Sequence, residues 1–422
     1  MMSEKIQKYR FLKRFLPSCQ KRQLVILTGA RQTGKTTLAK QTYPQLRYLN
    51  LDSPENREAV RIIPASSWAK EIGNAVVDEA QKEPLVFDKI KYAYDEGRIS
   101  FELILGSSQI LLLKKIRESL AGRASIYELW PLMMSEIFYD DIARNVRIPL
   151  VDRLFSKDRL ASIFKDTPQI LVDKAESTSL EAERYLLQWG GMPALLPLSE
   201  EERWQWLKDY EYTYLERDLM DLARLDDLMP FRKFQRLSAL RSSKLLNYSE
   251  LARDAGVSVD TARRYLEYLN LSYQVILLQP YYKNITSSVI KTPKLYWIDI
   301  GLLRQLSGYQ GELTGELYET MVVSELIKWI RTTRRNAEIY FYRTRSGLEL
   351  DIILQTENGI IGMEIKNRKI ISNSDIRPMK EIAGKLKKEW RGGLVVYLGN
   401  EIKKISTTHN IWAVPSRRLF IH

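Results

Sequence analysis

Leu24-Val25-Ile26-Leu27-Thr28-Gly29-Ala30-Arg31-Gln32-Thr33-Gly34-Lys35-Thr36-Thr37 carries the most specific local pattern in the chain. It reads as an apolar strand, a glycine-bounded loop and the opening of a helix. Residues 29–36 satisfy the whole pattern Gly-x-x-x-x-Gly-Lys-Ser/Thr. Backbone N–H groups of Gly29, Ala30, Arg31, Gln32, Thr33 and Gly34 would wrap a polyphosphate, and the helix start adds unpaired donors and a positive dipole end. Lys35 would reach the terminal phosphates and the Thr36 hydroxyl would sit on Mg²⁺, with Thr37 the last of the nucleotide-binding residues where the amphipathic segment begins.

Further along, Asn74-Ala75-Val76-Val77-Asp78-Glu79 is a short apolar strand ending in two acids. This is what an ATP-hydrolysing site needs on the strand beside its phosphate loop. Asp78 would hold Mg²⁺ through water, and Glu79 would orient and polarise the attacking water. Phe101-Glu102-Leu103-Ile104-Leu105-Gly106-Ser107-Ser108 is a third apolar strand, ending in small polar residues. Ser107, with Ser108 in reserve, would contact the attacking water or the γ-phosphate at the carboxyl end of the sheet. Arg123 is a candidate arginine finger, acting in cis or in trans, because a delocalised cation suits charge developing on the γ-phosphoryl group. The base-reading run Asn-Lys-x-Asp is absent, which favours ATP over GTP.

A chain of 422 residues is long for one core, so two to four domains are expected. Cys19 is the single cysteine, which excludes an internal disulfide and suits a reducing cytoplasm. With only His409 and His422 besides, a zinc site or a histidine-based triad is excluded. The basic N-terminus lacks an apolar core and a small-residue cleavage site, so a secretory signal is not expected. No apolar run is long enough to predict a membrane span. A net charge of +13 favours a polyanionic partner such as nucleic acid.

Residues 150–236 carry aromatic and charged side chains at helical spacing, Tyr185, Leu186, Trp189, Trp204, Trp206, Tyr210 and Tyr214 among them. Such a stripe predicts a helical core more than a binding platform. Gly190-Gly191-Met192-Pro193 predicts a break and an inter-helix hinge. Residues 249–266 predict a helix-turn-helix, with Ser249 capping the first helix and Gly256 making the turn. Ser258, Asp260, Thr261, Arg263 and Arg264 would then lie where a second helix can meet DNA. Strands near residues 273–278 and 291–297 would complete a winged helix, a module that serves DNA or protein docking.

Leu348-Glu349-Leu350-Asp351-Ile352-Ile353-Leu354 and Ile360-Ile361-Gly362-Met363-Glu364-Ile365-Lys366 flank Asn358-Gly359, a two-residue hairpin signal. With those two residues as the loop, Asp351 falls opposite Lys366 and Glu364 opposite Ile353. Period-2 alternation then puts Asp351, Glu364 and Lys366 on one face. Two carboxylates and a lysine suit metal-assisted phosphodiester hydrolysis, the acids holding the ion and the lysine orienting water.

The loop at 29–37, Asp78-Glu79-Ala80-Gln81, residues 105–108, and 119–123 followed by Glu128-Leu129-Trp130-Pro131-Leu132 together resemble a widespread group of prokaryotic AAA+-type P-loop ATPases. The likeness continues through Trp189-Gly190-Gly191-Met192-Pro193, Tyr214-Leu215-Glu216-Arg217-Asp218-Leu219, residues 246–252, 294–299 and 341–344, covering nearly the full chain. The resemblance implies an α/β protein: a P-loop AAA+-type core (residues 1–149) and a helical lid or connector (150–230). A winged-helix domain (231–298) and a C-terminal α/β restriction-endonuclease-like domain (299–422) would follow. That last part is similar to the Asp … Glu-x-Lys signature of restriction-type nucleases, with Glu319 matching a helix-borne acid ahead of Asp351, Glu364 and Lys366. The cofactors expected are ATP and Mg²⁺. The partners expected are DNA or another protein, with no membrane, and ring assembly of identical subunits is typical of the class. ATP-driven switching or movement leads, an ATP-gated metal-dependent nuclease comes second, and a non-enzymatic DNA-binding regulator third.

Overall fold

The structure, a computed structural model, describes residues 7–106, 120–140, 146–170, 174–215, 228–281 and 291–421. Strands β1 (Gln23–Thr28), β2 (Arg47–Asn50), β3 (Ala75–Asp78), β4 (Phe101–Leu105) and β5 (Ala124–Glu128) form a sheet in the order β2-β3-β4-β1-β5, every pair parallel. Parallel strands need crossovers, and helices α1 (Lys35–Thr42), α2 (Pro54–Ile62) and α3 (Leu85–Asp95) fall between them. The near-continuous apolar runs follow from burial on both faces. Leu24 and Ile26 pack on one side with Trp68, Phe87 and Ile104, while Val25 and Leu27 pack on the other with Leu38, Leu103 and Tyr127. The order corrects one expectation: the acid-bearing strand β3 is not beside β1, because β4 runs between them.

The middle of the chain is helical: α4 (Lys174–Trp189), α5 (Glu200–Tyr210), α6 (Met229–Ala239), α7 (Tyr248–Ala255) and α8 (Val259–Leu271). Its aromatic stripe is core. Trp189 and Tyr210 are buried, and Trp204 meets Trp189 edge-on at 5.1 Å. The glycine pair after α4 ends the helix as expected, but it is a packed junction. A Cβ on Gly190 would lie 2.2 Å from the Asp299 carboxylate, and one on Gly191 the same distance from the Leu132 carbonyl. Asn247, not Ser249, caps α7 by accepting from the Glu250 N–H. Gly256 then turns the chain in the left-handed region at φ 76°, and Ser258 caps α8. Strands β6 (Lys244–Leu245), β7 (Val275–Leu278) and β8 (Lys294–Trp297) form a small antiparallel sheet against these helices.

Helices α9 (Ile300–Ser307) and α10 (Gly315–Thr333) lead into a second, mixed sheet. It contains β9 (Ala337–Arg343), β10 (Glu349–Thr356), β11 (Gly359–Lys366), β12 (Trp390–Tyr397), β13 (Lys403–Ser406) and β14 (Ile411–Pro415), in the order β13-β14-β12-β11-β10-β9. The largest hydrophobic core is continuous from Phe11 through Leu132, Phe164, Phe234, Trp297 and Val322 to Ile421. The chain entering the first sheet is thus anchored among residues that arrive hundreds of positions later. Among the described residues no helix is long and apolar enough to cross a membrane.

Candidate functional site

The loop after β1 is held open by backbone that few residue types tolerate. Gly29 has φ 147°, and a Cβ there would lie 2.1 Å from the Leu129 carbonyl oxygen, so only glycine fits. Gln32 and Gly34 are left-handed, and α1 opens at Lys35. Lys35 Nζ donates to the carbonyls of Gly29 (3.0 Å) and Ala30 (2.8 Å), while Thr33 Oγ1 donates to Ala30 (2.9 Å). Across the loop, Thr36 Oγ1 donates to Asp78 Oδ2 at 2.6 Å. Tyr48 donates to the same oxygen at 2.7 Å, and the Glu79 N–H donates to Oδ1 at 2.9 Å. Glu79 itself is left-handed (φ 53°, ψ 40°), and its Oε2 accepts from Gln81 at 2.5 Å. A cleft of about 250 Å³ is lined by Arg31, Gln32, Gly34, Lys35, Thr36, Thr37, Asp78 and Glu79. Hard oxygen donors on Thr36 and Asp78, facing one another beside a lysine, fit a magnesium-bound triphosphate.

Several residues that support the loop carry no motif. Arg10, 9% exposed, donates to the Thr33 carbonyl (3.3 Å) and the Trp130 carbonyl (2.5 Å) and pairs with Glu136 (3.4 Å). The Tyr210 hydroxyl donates to the Arg31 carbonyl at 3.2 Å, and Tyr273 reaches Thr28 Oγ1 at 3.3 Å. Ala30 packs against Trp130, Tyr273 and Ile298, with Trp130 and Tyr273 edge-to-face at 5.0 Å. Long sequence separation hid all of these. The one local signal is the apolar, aromatic character of residues 129–132 directly after β5.

Two site expectations fare differently. Ser107 and Ser108 lie outside the described residues, although β4 does run between β1 and β3. Arg123 precedes β5, whose pairing sets Ala124 against Leu24 and Glu128 against Thr28. It therefore stands at the amino end of β5, opposite the phosphate loop, five residues or about 17 Å from the level of Thr28 at ~3.3 Å per residue. Its guanidinium pairs with Asp95 at 2.6 Å. The cis finger is thereby corrected, since parallel strands put every loop site at their carboxyl ends.

In the second sheet the hairpin loop is Glu357-Asn358, with Thr356 paired to Gly359. Ile353 faces Gly362, so the expected pairs Asp351–Lys366 and Glu364–Ile353 do not form. The ladder runs to Ile352–Met363, which leaves Asp351 beside Glu364. Because both strands move by one residue in opposite senses, the side-chain faces are unchanged. Thr356, whose hydroxyl binds the Gly359 carbonyl and the Asn358 N–H, outweighs the Asn-Gly signal. A register irregularity between Leu350 and Ile353 against β9 puts Asp351 at a bulge.

Around this bulge the expected residues do converge. Lys366 pairs with Glu364 at 2.5 Å, and Asp351 Oδ2 accepts from the Ile365 N–H at 2.8 Å. Glu319 accepts from Tyr296 at 2.5 Å and Lys294 at 3.1 Å, and Lys294 also pairs with Glu349 at 2.7 Å. Burial, then the neighbouring Asp351 carboxylate, raise Glu319 to about 7 and Glu364 to about 8. Burial likewise raises Asp351. Burial pulls Lys294 down, but Glu319, Asp351 and Glu349 outweigh it and hold it charged. Among the described residues no three His, Cys, Asp or Glu side chains stand close enough to hold a metal ion.

On α8, Ser258 and Thr261 are occupied by capping: the Thr261 N–H donates to Ser258 Oγ at 3.1 Å, and the two hydroxyls are 2.9 Å apart. Arg263 pairs with Asp260 at 3.6 Å and lies 5.4 Å from the Tyr248 ring, while Arg264 donates to Thr261 at 3.3 Å.

The first sheet and its loop have the α/β fold of P-loop ATPases, and a second, mixed sheet follows in the C-terminal part. Residues 21–138 match the model of an AAA domain, 180–313 that of a domain of unknown function (DUF8612), and 314–419 that of another (DUF4143). The chain is 28% identical to the uncharacterized protein Rv2008c of Mycobacterium tuberculosis, over 81% of this chain and 70% of that one. It is 24% identical to the uncharacterized protein MJ1637 of Methanocaldococcus jannaschii, over 71% and 64%. Among solved structures, the Walker-type ATPase PABY2304 of Pyrococcus abyssi aligns at 16% identity and TM-score 0.41, covering 70% of this chain and 94% of that one.

Proposed function

We propose that the protein hydrolyses ATP with Mg²⁺ and uses the cycle as a switch acting on DNA or a DNA-associated partner. The carrying observation is the convergence of Lys35, Thr36, Asp78 and Glu79 on one cleft, with Thr36 and Asp78 2.6 Å apart. In the hydrolytic cycle the backbone N–H groups of the loop bind the phosphates. Lys35 turns an ammonium that now donates to the Gly29 and Ala30 carbonyls toward phosphate oxygens, where both partners are charged. The Thr36 hydroxyl and Asp78 would hold a magnesium ion, which would supply positive charge to offset that on the phosphate oxygens. Glu79, held by Gln81, orients water and accepts its proton. Contacts from Tyr210 and Tyr273 support transmission of the loop's state to the helical connector (150–230) and the winged-helix domain (231–298).

The restriction-endonuclease-like domain (299–422) is read as a relic. Lys294 pairs with Glu319 and Glu349 and Lys366 with Glu364, and among the described residues no three His, Cys, Asp or Glu side chains stand close enough to hold a divalent ion. Steady-state ATP turnover by wild type, Lys35→Ala and Glu79→Gln tests the main assignment: both variants should lose it, and equal turnover in all three sinks it. Plasmid incubated with Mg²⁺ or Mn²⁺ tests the relic, which predicts no cleavage; cleavage abolished by Asp351→Ala would restore the nuclease reading.

A further inference from the structure

Arg10 lies thirteen positions ahead of β1, outside every motif, yet its guanidinium is buried, with both amino groups hydrogen-bonded and Nε facing a carboxylate. One amino group donates to the carbonyl of Thr33, inside the phosphate loop, and the other to the carbonyl of Trp130, where the chain leaves β5. Its third nitrogen faces Glu136 at 3.4 Å, an ion pair rather than a hydrogen bond. Glu136 is itself immobile. Its two oxygens accept from the N–H groups of Phe11 (2.8 Å) and Met133 (3.1 Å), and the next N–H, of Met134, donates to Glu325 on α10 at 2.7 Å. Glu325 in turn pairs with Lys328 at 3.2 Å, both almost fully buried.

A loop that binds a triphosphate must keep its N–H groups toward the ligand and its carbonyl oxygens away from it. The Gly29 and Ala30 carbonyls accept from Lys35, which lines the cleft, and Ala30 accepts also from Thr33 Oγ1. The Thr33 carbonyl has a donor that need not move. From these contacts we infer that Arg10 is a positioning residue for nucleotide binding: it turns the Thr33 carbonyl out of the phosphate cleft and locks the loop to the exit of β5. The inference rests on the ATP reading above. It also explains why Arg10 is buried against two carbonyls at the cost of desolvation, where an apolar side chain would pack more cheaply. A lysine cannot replace it, because one ammonium does not span Thr33, Trp130 and Glu136 in a planar fork.

The test is calorimetric titration of ATP with Mg²⁺ into the full-length protein: wild type, Arg10→Lys, and the double variant Arg10→Met with Glu136→Gln. The double variant removes both members of the ion pair, so no unpaired charge is left buried; if it fails to fold, Arg10→Lys decides alone. Loss of charge-assisted bonds to the loop should weaken ATP binding about tenfold to a hundredfold in the double variant and less in Arg10→Lys. KM should rise with Kd. A purely structural arginine would lower the melting temperature and leave the Kd of the folded protein unchanged, and that result overturns the inference. Failure of the wild type itself to bind ATP is distinct, since it overturns the nucleotide reading on which the inference stands.

Discussion

Glu79 is a non-glycine residue held in the left-handed region, and replacing it with glycine separates its backbone from its chemistry. An L-residue in that region costs about 1–2 kcal/mol, which Glu79→Gly releases. Against this, glycine loses roughly 0.5–1 kcal/mol more backbone entropy on folding. The half-buried bond from Gln81 also disappears, a loss of about 0.5–1 kcal/mol. The three effects leave stability within about 1 kcal/mol of wild type, a shift in melting temperature of about 2 °C. ATP turnover should fall by about 10²–10⁴, the usual worth of a positioned general base. Calorimetric melting and a coupled phosphate-release assay, run on Glu79→Gly and Glu79→Gln, read both quantities. Glu79→Gln keeps the strain and should match the glycine variant in turnover. Turnover retained in Glu79→Gly would refute the base assignment. A fall of many degrees in that variant would refute the reasoning that the strained backbone serves the carboxylate rather than the fold.

Arg123→Ala should leave turnover of dilute protein within about twofold of wild type, since its partner is Asp95 at the far sheet edge; a large loss there would restore a finger in cis. Gly29→Ala should abolish nucleotide binding, because its Cβ would meet the Leu129 carbonyl, and wild-type ATP affinity in that variant would show that the loop is not the site. The acid cluster makes stability pH-dependent. Glu319 at about 7 and Glu364 at about 8 both lie above their unfolded value near ~4.3, so the folded state holds the extra protons. Stability should be full below that unfolded value and fall as pH rises through about 7–8, with Glu364→Gln flattening the melting-temperature profile; parallel profiles would contradict the cluster. If α8 contacts DNA, Arg263→Ala with Arg264→Ala should reduce the slope of log affinity against log salt by about 1.8, and an unchanged slope would exclude that helix.

Where chemistry demands fixed local spacing, the chain could be read directly. Residues 24–36 must be strand, loop and helix start because a polyphosphate needs consecutive N–H groups, a glycine-lined approach and a lysine, all supplied by neighbours in sequence. The same holds for Asp78-Glu79 at a strand end, for Gly256 between two helices, and for the β10–β11 hairpin, whose side-chain parity survived a misplaced loop.

What lay beyond sequence was decided by pairing across distance. The strand order that puts β4 between β1 and β3, and Arg123 at the wrong end of β5, follows from how crossovers pack. Burial of Arg10 between Thr33 and Trp130, and Tyr273 against Thr28, join residues separated by 23, 120 and 245 positions. No local pattern encodes such contacts, because each side chain's partner is chosen by the shape of a core assembled from the whole chain. The P-loop was therefore written in eight consecutive residues, while its scaffold exists only once the N-terminal segment, the helical middle and the small antiparallel sheet have packed around it.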